Sequence, residues 1–487
     1  MNPESDQTSS TRHCYLLLMT VSLLLIVFCI FLTVFSSEFT SATSLIDRPI
    51  PLLVSILSVS GLIYLLSLTI LKHISPGPKV LLLGVLLIGL LFRIIVIFSN
   101  PILENDYFRY LWDGSVTANG INPYLYAPDE INGENTRSDI PEKLVQLRSE
   151  YGEDFNRINH PHIRSIYPPV AQFFFALAHF IKPWNTTSWR FILLLVDLLN
   201  VILLLFILKR LAIHPLFIIL YWWNPLLVKE IFNSGHMDIL IFPFLLTAIY
   251  LAIRQKYVVS LLCLALSIGI KIWPVMLLPI LVRPLFRNFR NLSFVLIIFS
   301  ITCFTIFLPV LYAGIGDSSG YNQYLKSWQN NDSLFKIMVW IWEILLPAFS
   351  IHPGHSQLMA RLMVIAIILL TIIFLNIRVP ESAAGVFRKC LLLLTILFLI
   401  SPTQFPWYFI WLLPFLTIHP KFSLLLLTVL LPVYYLRYYF DARGQIAIFD
   451  NWVVWAEYIP VWVLLVKDWV DGRKHEIQNA QMLIQRK

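Results

Sequence analysis

Apolar runs long enough to cross a lipid bilayer recur along nearly the whole chain of 487 residues. A helix needs about 20 apolar residues to span the hydrocarbon core, and the first run, residues 14–35, meets that length. This recurrence predicts an all-α polytopic transmembrane protein and excludes a soluble domain with a single anchor. Several later runs are shorter, so we expect proline-bent, tilted or half-inserted helices among the spans.

The composition agrees with a membrane protein. Charged residues make up 13% of the chain, about half the fraction of soluble domains. The formal net charge is +8, but lysine and arginine normally collect in cytoplasmic loops of membrane proteins, so we expect no nucleic-acid partner. The 5 cysteines lie in or beside apolar runs without a CxxC pair, which predicts small core residues and neither disulfides nor metal ligands.

The basic residues of the short loops predict the orientation. We take the N-terminus as cytoplasmic and treat the weak runs 168–181 and 334–350 as segments that do not cross. All the basic short loops then lie on the cytoplasmic side, together with both termini. This topology gives about 12–14 spans and suits a multi-pass protein of the plasma (inner) membrane. The first run is too long for a signal peptide, so we expect it to be retained.

The unusual polar segments all fall on the opposite face in this topology. They are residues 104–126, 160–169, 233–238, 271, 328–333 and 401–408. Several loops on one outward face are what a single site would require. We predict a two-span segment at 1–78 and a transmembrane module at 79–487 that carries the site and contains a large first outward loop at 100–167.

The most informative motif begins with Glu104 and continues to Tyr124. If residues 106–118 are helical, Asp106, Arg109 and Asp113 share one stripe, and aromatic positions suit a helix in the membrane interface. Two interpretations are open: an ion-pair ladder that only holds the helix, or a functional site. Charged groups beside a bilayer are costly and more often functional, so we predict a site.

Two further segments supply candidate cations. His160 and His162 precede Arg164 and Tyr167. No third metal ligand accompanies the histidines, so they are interpreted as loop residues, whereas Arg164 is a candidate to bind phosphate. Lys271 lies in a break between two apolar runs; it either extends to the interface or contacts a phosphate.

The remaining candidates lie in short polar segments between apolar runs. They are His236, Asp238, Asn331, Asp332 and Gln404. The first two belong either to a tight polar turn or to the site, and His236 is a further phosphate candidate. Amide and hydroxyl groups beside tryptophan and tyrosine suit sugar recognition. No nucleotide-binding or zinc-protease motif occurs in the sequence, so no soluble cofactor is indicated.

Residues 106–114 and 120–124 resemble the first outward loop of GT-C superfamily glycosyltransferases. The likeness is greatest to bacterial polyprenyl-phosphate-sugar-dependent enzymes of the mannosyltransferase type. Further blocks of that family match in the same order. They are residues 166–169, 224–225, 229–230, 234–238, 271–274, 331–333 and 401–408.

The resemblance implies that Asp106 is a catalytic base and that the donor is a polyprenyl-phosphate sugar, with mannose as the expected hexose. Cations must then face the leaving phosphate, and the candidates are Arg109, Arg164, His236 and Lys271. The acceptor is then a hydroxyl of a lipid or glycan, and a single displacement inverts the anomeric centre. Relatives often carry an acidic pair here, whereas this chain has Asn105 before Asp106 and Glu104 one position further back. This departure argues against a second catalytic acid and against a metal held by carboxylates, so no metal ligand is assigned and a divalent metal is left open as a cofactor.

Two other functions share many of these features. A transporter or flippase for lipid-linked glycans would have charges deep in several spans, and its chain would consist of two related halves. A glycan polymerase or ligase would use the same donor class. The crowding of polar motifs on one face favours an enzyme, and the order of the motifs favours transfer of one monosaccharide.

Overall fold

The computed structural model describes residues 3–73, 79–131, 139–316, 319–380 and 382–485. Within these residues the protein is helical, and the only β-type pairing is an isolated bridge between Asn330 and Thr403. The predicted all-α class is confirmed. Parts of the predicted loops, residues 74–78 and 132–138, and the last two residues of the tail lie outside the described residues.

The helices differ widely in length. Those of eight or more residues are Pro3–Phe35, Ile50–His73, Lys79–Ile97, Asp106–Ala118, Glu142–Tyr151, Pro169–Ile181, Thr186–Arg210, Ile241–Ile253, Tyr257–Ile268, Phe289–Ala313, Gly320–Ser327, Leu334–Leu345, Ser356–Ile377, Ala383–Ile400 and Val454–Gln485. Shorter α-helices are Ile219–Trp222, Pro225–Leu227, Leu278–Val282, Pro406–Phe409, Leu413–Ile418, Phe422–Leu425, Leu427–Leu430, Leu436–Asp441 and Ile446–Ile448. Two π-helical turns are Val228–Asn233 and Phe449–Val453, and short 3-10 turns such as Trp273–Leu277 join the rest.

Eight helices of the described chain are long and apolar enough to cross a membrane. The pair Pro225–Asn233 and Asp238–Ile253, bent by 104°, makes a ninth if it counts as one span. The prediction of about 12–14 spans also counted shorter runs. One of these, residues 272–282, is divided into Trp273–Leu277 and Leu278–Val282, each with a proline near its start, because proline lacks the N–H donor that a continuous helix needs.

The helix Asp106–Ala118, called the motif helix below, has the predicted bounds but is buried in protein rather than lying on the surface. It packs directly on Pro169–Ile181 at Gly114, where an added Cβ would lie 2.4 Å from the carbonyl oxygen of Phe175. Only glycine permits this approach of two backbones. Gly120, with φ +72°, ends the helix as predicted.

Backbone hydrogen bonds join the polar segments that are far apart in sequence. The carbonyl of Gly269 accepts from Val170 N at 2.8 Å, which brings the Lys271 segment beside the start of Pro169–Ile181. Asn330 N donates to Pro402 O at 3.0 Å, which joins residues 328–333 to 401–408. The loops predicted to share one face therefore meet around one place in the molecule.

The N-terminal helices pack into the same body. Tyr64 OH donates to Leu220 O at 2.7 Å, and Ser58 Oγ donates to Val429 O at 2.9 Å. The division of the chain into 1–78 and 79–487 stays a prediction.

Candidate active site

The polar segments surround a cavity of about 370 Å³, a volume typical of small-molecule sites. Its titratable wall residues other than tyrosines are Glu104, Asp106, Arg109, His160, Arg164 and Lys271. Tryptophan, tyrosine and phenylalanine side chains form much of the remaining wall. Carboxylates, cations and aromatic faces thus line one compartment.

Asp106 lies at the first position of the motif helix, and its side chain is 29% exposed. The positive end of the helix dipole favours its ionised form. Burial raises the pKa of Asp106, while the charge of Lys271 and hydrogen bonding by Asn159 and Tyr110 oppose this rise. A carboxylate with a raised pKa that still reaches the cavity is suited to accept a proton.

Arg109 lines the cavity and forms an ion pair with the buried Asp113, with Nε and Oδ1 2.8 Å apart. Arg109 also donates to Ile163 O at 3.1 Å, and Asp113 accepts from Ser165 and Gln172. Asp113 is buried and is not part of the cavity wall. The predicted stripe therefore divides: Asp106 faces the cavity, and the Arg109–Asp113 pair holds the loop that carries residues 163–165.

Two further cations line the cavity, and their partners differ. Lys271 Nζ lies 2.6 Å from Asp238 Oδ1 and 4.5 Å from the centre of the Tyr408 ring. Asp238 Oδ1 also accepts from Trp411 Nε1 at 2.6 Å. Arg164 donates to Ala313 O at 3.3 Å, but its buried Nε has no hydrogen-bond partner, and no carboxylate within the described ranges forms an ion pair with it.

Tyr167 is part of the cavity wall, as is the neighbouring ring of Tyr110, whose centre lies 4.9 Å away. The backbone carbonyl of Tyr167 accepts from Tyr124 OH at 2.6 Å. These contacts fix the segment between Arg164 and Pro169–Ile181, which positions the arginine.

His236 lies behind the cavity wall rather than on it. The ring is fully buried and stacks on Trp407, with centroids 3.9 Å apart. Its Nδ1 lies 3.7 Å from Asp106 Oδ2. This arrangement places His236 next to the cavity carboxylate, at a position where the Trp407 ring separates it from the open space.

Asn331, Asp332 and Gln404 also lie behind the wall. Asn331 Nδ2 donates to Gln404 O at 3.1 Å and to Glu457 Oε2 at 2.8 Å. Asp332 accepts from Gln329 Nε2 at 3.0 Å. These bonds fix the two loops that present Trp328 and Phe405 to the cavity, so the three side chains support the wall from behind.

Glu104, Tyr434 and Tyr438 line the cavity but were not among the predicted site residues. Tyr438 OH donates to Glu104 Oε1 at 3.2 Å, and burial raises the pKa of Glu104 well above its usual range. Leu103, just before it, has φ +62°, a conformation that costs energy for a leucine and recurs at functional sites. This wall was not predicted from the sequence; two tyrosines four residues apart, about one helical turn, were the pattern that could have indicated it.

No group of three or more histidine, cysteine, aspartate or glutamate side chains within the residues described could hold a metal ion. His160 and His162 have ring centres 6.1 Å apart, and His160 packs against Trp328.

The sequence was compared with protein families and known proteins. Residues 33–287 match the model of the MptA_B family, described as alpha-(1->6)-mannopyranosyltransferase, N-terminal domain. The match covers just over half of the chain and includes Asp106, Arg164, His236 and Lys271. No curated protein and no solved structure matches the chain.

Proposed function

The chain belongs to this alpha-(1->6)-mannopyranosyltransferase family, and from that premise we propose that it transfers mannose from a polyprenyl-phosphate donor to a hydroxyl of a lipid or glycan acceptor. The observation that carries the proposal is the content of one cavity. It contains a partly exposed carboxylate, Asp106, and an arginine, Arg164, whose Nε has no partner. Family membership favours this reaction over the transporter alternative.

Asp106 acts as the base in this proposal. The acceptor hydroxyl loses its proton to the carboxylate while its oxygen attacks the anomeric carbon. The bond between that carbon and the phosphate oxygen breaks, and the lipid phosphate leaves with the electron pair. A single displacement of this kind inverts the anomeric centre.

Arg164 receives the leaving phosphate. The planar guanidinium suits phosphate, and charge-assisted hydrogen bonds strengthen as the leaving oxygen gains charge. Lys271 and Arg109 carry the same sign but are paired with Asp238 and Asp113, so we assign them a supporting role. One uncompensated arginine suits the single phosphate of a lipid monophosphate better than the diphosphate of a nucleotide sugar.

The aromatic wall suits the sugar. The wall includes the rings of Trp273, Trp328 and Tyr408, and aromatic rings offer apolar surface to the C–H groups of a hexose. Tyr324 OH, 3.2 Å from Tyr408 OH, adds a polar group that can bond a sugar hydroxyl.

The surroundings of Arg164 support a donor with a lipid tail. Its NH1 bonds the last residue of Phe289–Ala313. Only 17% of the most apolar stretch of that helix is buried inside the protein, the lowest fraction among the eight candidate spans of the described chain. A tail leaving the cavity at this end would therefore meet the bilayer. We propose that the cavity opens on the outer face of the plasma membrane, opposite both termini.

Transfer from a radiolabelled donor tests the proposal. Purified protein in detergent is incubated with polyprenyl-phosphate-mannose or with GDP-mannose, each with a lipid extract as acceptor. We expect labelled product only from the lipid donor and none with Asp106→Asn. Product from GDP-mannose alone would contradict the donor assignment, and an unchanged anomeric configuration by NMR would contradict inversion.

A further inference from the structure

Three unpartnered polar atoms form a row behind Asp106. His236 Nδ1 lies 3.7 Å from Asp106 Oδ2, and His236 Nε2 lies 3.7 Å from Glu230 Oε2. Both ring nitrogens and Glu230 Oε2 are buried without a hydrogen-bond partner. Buried polar atoms are rarely left unpaired, so three together at one site call for an explanation.

The surroundings fix the ring in this place. Trp407 stacks on one face of it, and His236 N donates to Glu230 O at 3.0 Å. Gly235, with φ +80°, forms the turn, and its carbonyl accepts from Trp189 Nε1 at 2.7 Å. The imidazole can therefore turn slightly toward either carboxylate, but it cannot leave the space between them.

The protonation state decides which of these atoms can be satisfied. A neutral imidazole has one N–H, so it can donate to Asp106 or to Glu230 but not to both. Its other nitrogen then directs a lone pair at a carboxylate. An imidazolium donates from both nitrogens and satisfies all three atoms. The arrangement is therefore complementary to a site that has taken up one proton.

Of the three carboxylates Asp106, Glu230 and Asp238, only Asp106 forms no ion pair with a lysine of the described chain. Glu230 Oε1 lies 3.5 Å from Lys229 Nζ, and Asp238 pairs with Lys271. Other titratable groups also face the row. They are Glu104, Tyr110 and Tyr435. Burial, and then the charges of Lys229 and Lys271, lower the pKa of His236 well below its usual range, so an imidazolium there depends on the two carboxylates beside it.

We propose that His236 is a positioning residue for Asp106. Asp106 passes the proton taken from the acceptor to His236 Nδ1, and Glu230 stabilises the imidazolium that forms. This inference rests on the proposed function.

The acceptor O–H bond breaks and its oxygen bonds the anomeric carbon, while the lipid phosphate leaves with the electron pair of the broken C–O bond. The proton returns to water through the exposed part of Asp106. The imidazolium lies between two carboxylates, Asp106 and Glu230, and their charges stabilise it against the cost of burial.

The pH dependence of turnover separates this role from a structural one. A carboxylate coupled to imidazole titrates as one unit, with an apparent pKa above that of the carboxylate alone. In the full-length protein, His236→Gln should therefore lower maximal turnover roughly 10- to 100-fold and move the acid limb of the profile to lower pH. Glu230→Gln should move the limb in the same direction.

His179→Gln is the matched control, because His179 also has a buried unpartnered Nδ1 but lies outside the cavity. It should leave the limb unmoved. A slower His236→Gln enzyme with an unmoved limb would overturn the inference and leave the proposed function intact. Absence of transfer by the wild type would instead count against the proposed function.

A second measurement needs no donor. The chain has 11 histidines, and ¹⁵N-imidazole NMR in detergent identifies His236 as the signal absent from His236→Gln. Asp106→Asn removes one carboxylate from the ring, so His236 should protonate at a lower pH in that variant than in the wild type. Equal titration of His236 in both proteins would refute the coupling whatever the substrate.

Discussion

Exchanging each aspartate of the motif helix for asparagine should separate chemistry from support. Asp106→Asn keeps the side-chain volume but cannot accept a proton, so we expect turnover to fall about 10²- to 10⁴-fold. Its side chain is partly exposed, so the melting temperature should change little. Asp113 is buried in an ion pair with Arg109, and its neutral replacement leaves that arginine uncompensated. Loss of one partner from a buried pair costs about 3–5 kcal/mol.

The assay measures both quantities on the same samples. Turnover with labelled lipid donor is normalised to the folded protein recovered by gel filtration, and melting is followed in the same detergent. Asp106→Asn should be stable and nearly inactive, whereas Asp113→Asn should melt earlier and retain activity per folded molecule. A stable Asp106→Asn enzyme with turnover near the wild-type value would refute Asp106 as the base. Equal destabilisation of both variants would instead support a structural ladder.

Glu104 provides the matched comparison, because it is a second carboxylate of the same cavity. One of its oxygens accepts from Tyr438, and burial raises its pKa well above the usual range. Glu104 is buried and held by this bond, whereas Asp106 is partly exposed to the cavity, so Glu104→Gln should keep more activity than Asp106→Asn. The reverse order of activities would transfer the role of base from Asp106 to Glu104.

Three other perturbations test separate parts of the structure. Arg164→Gln removes a charge-assisted contact worth about 1.5–3 kcal/mol, so kcat/KM for the lipid donor should fall roughly 10- to 150-fold; an unchanged value would remove Arg164 from the site. Gly114→Ala forces two backbones apart and should cost about 1–3 kcal/mol in thermal melts, while Gly84→Ala, which meets nothing within 4 Å, should not; equal melting would contradict the close packing. In a background without native cysteines, impermeant reagents should label Ser149→Cys but not Asn288→Cys in intact cells; the opposite pattern would invert the topology.

Local patterns in the sequence predicted the features of the fold that depend on residues close together in the chain, such as where a helix begins and ends. The spacing of Asp106, Arg109 and Asp113 predicted a helix, and Gly120 predicted its end; the structure has both. The same spacing placed all three side chains on one stripe, but it gave no information about what lies against each turn. Packing on Pro169–Ile181 covers Asp113 with Ser165 and Gln172, and such contacts between distant segments have no local signature.

The phosphate candidates show why a list of cations is not yet a site. Arg109, Arg164, His236 and Lys271 were equivalent in the sequence, because each is a basic residue in an outward segment. The structure distinguishes them by their partners: Arg109 and Lys271 are paired with carboxylates, and the histidine lies behind Trp407. A cation already held by a buried carboxylate has less attraction left for a phosphate than one that forms no ion pair. Arg164 is thus the candidate whose removal should most weaken donor binding, and that ranking depends on ion pairs which only the folded chain defines.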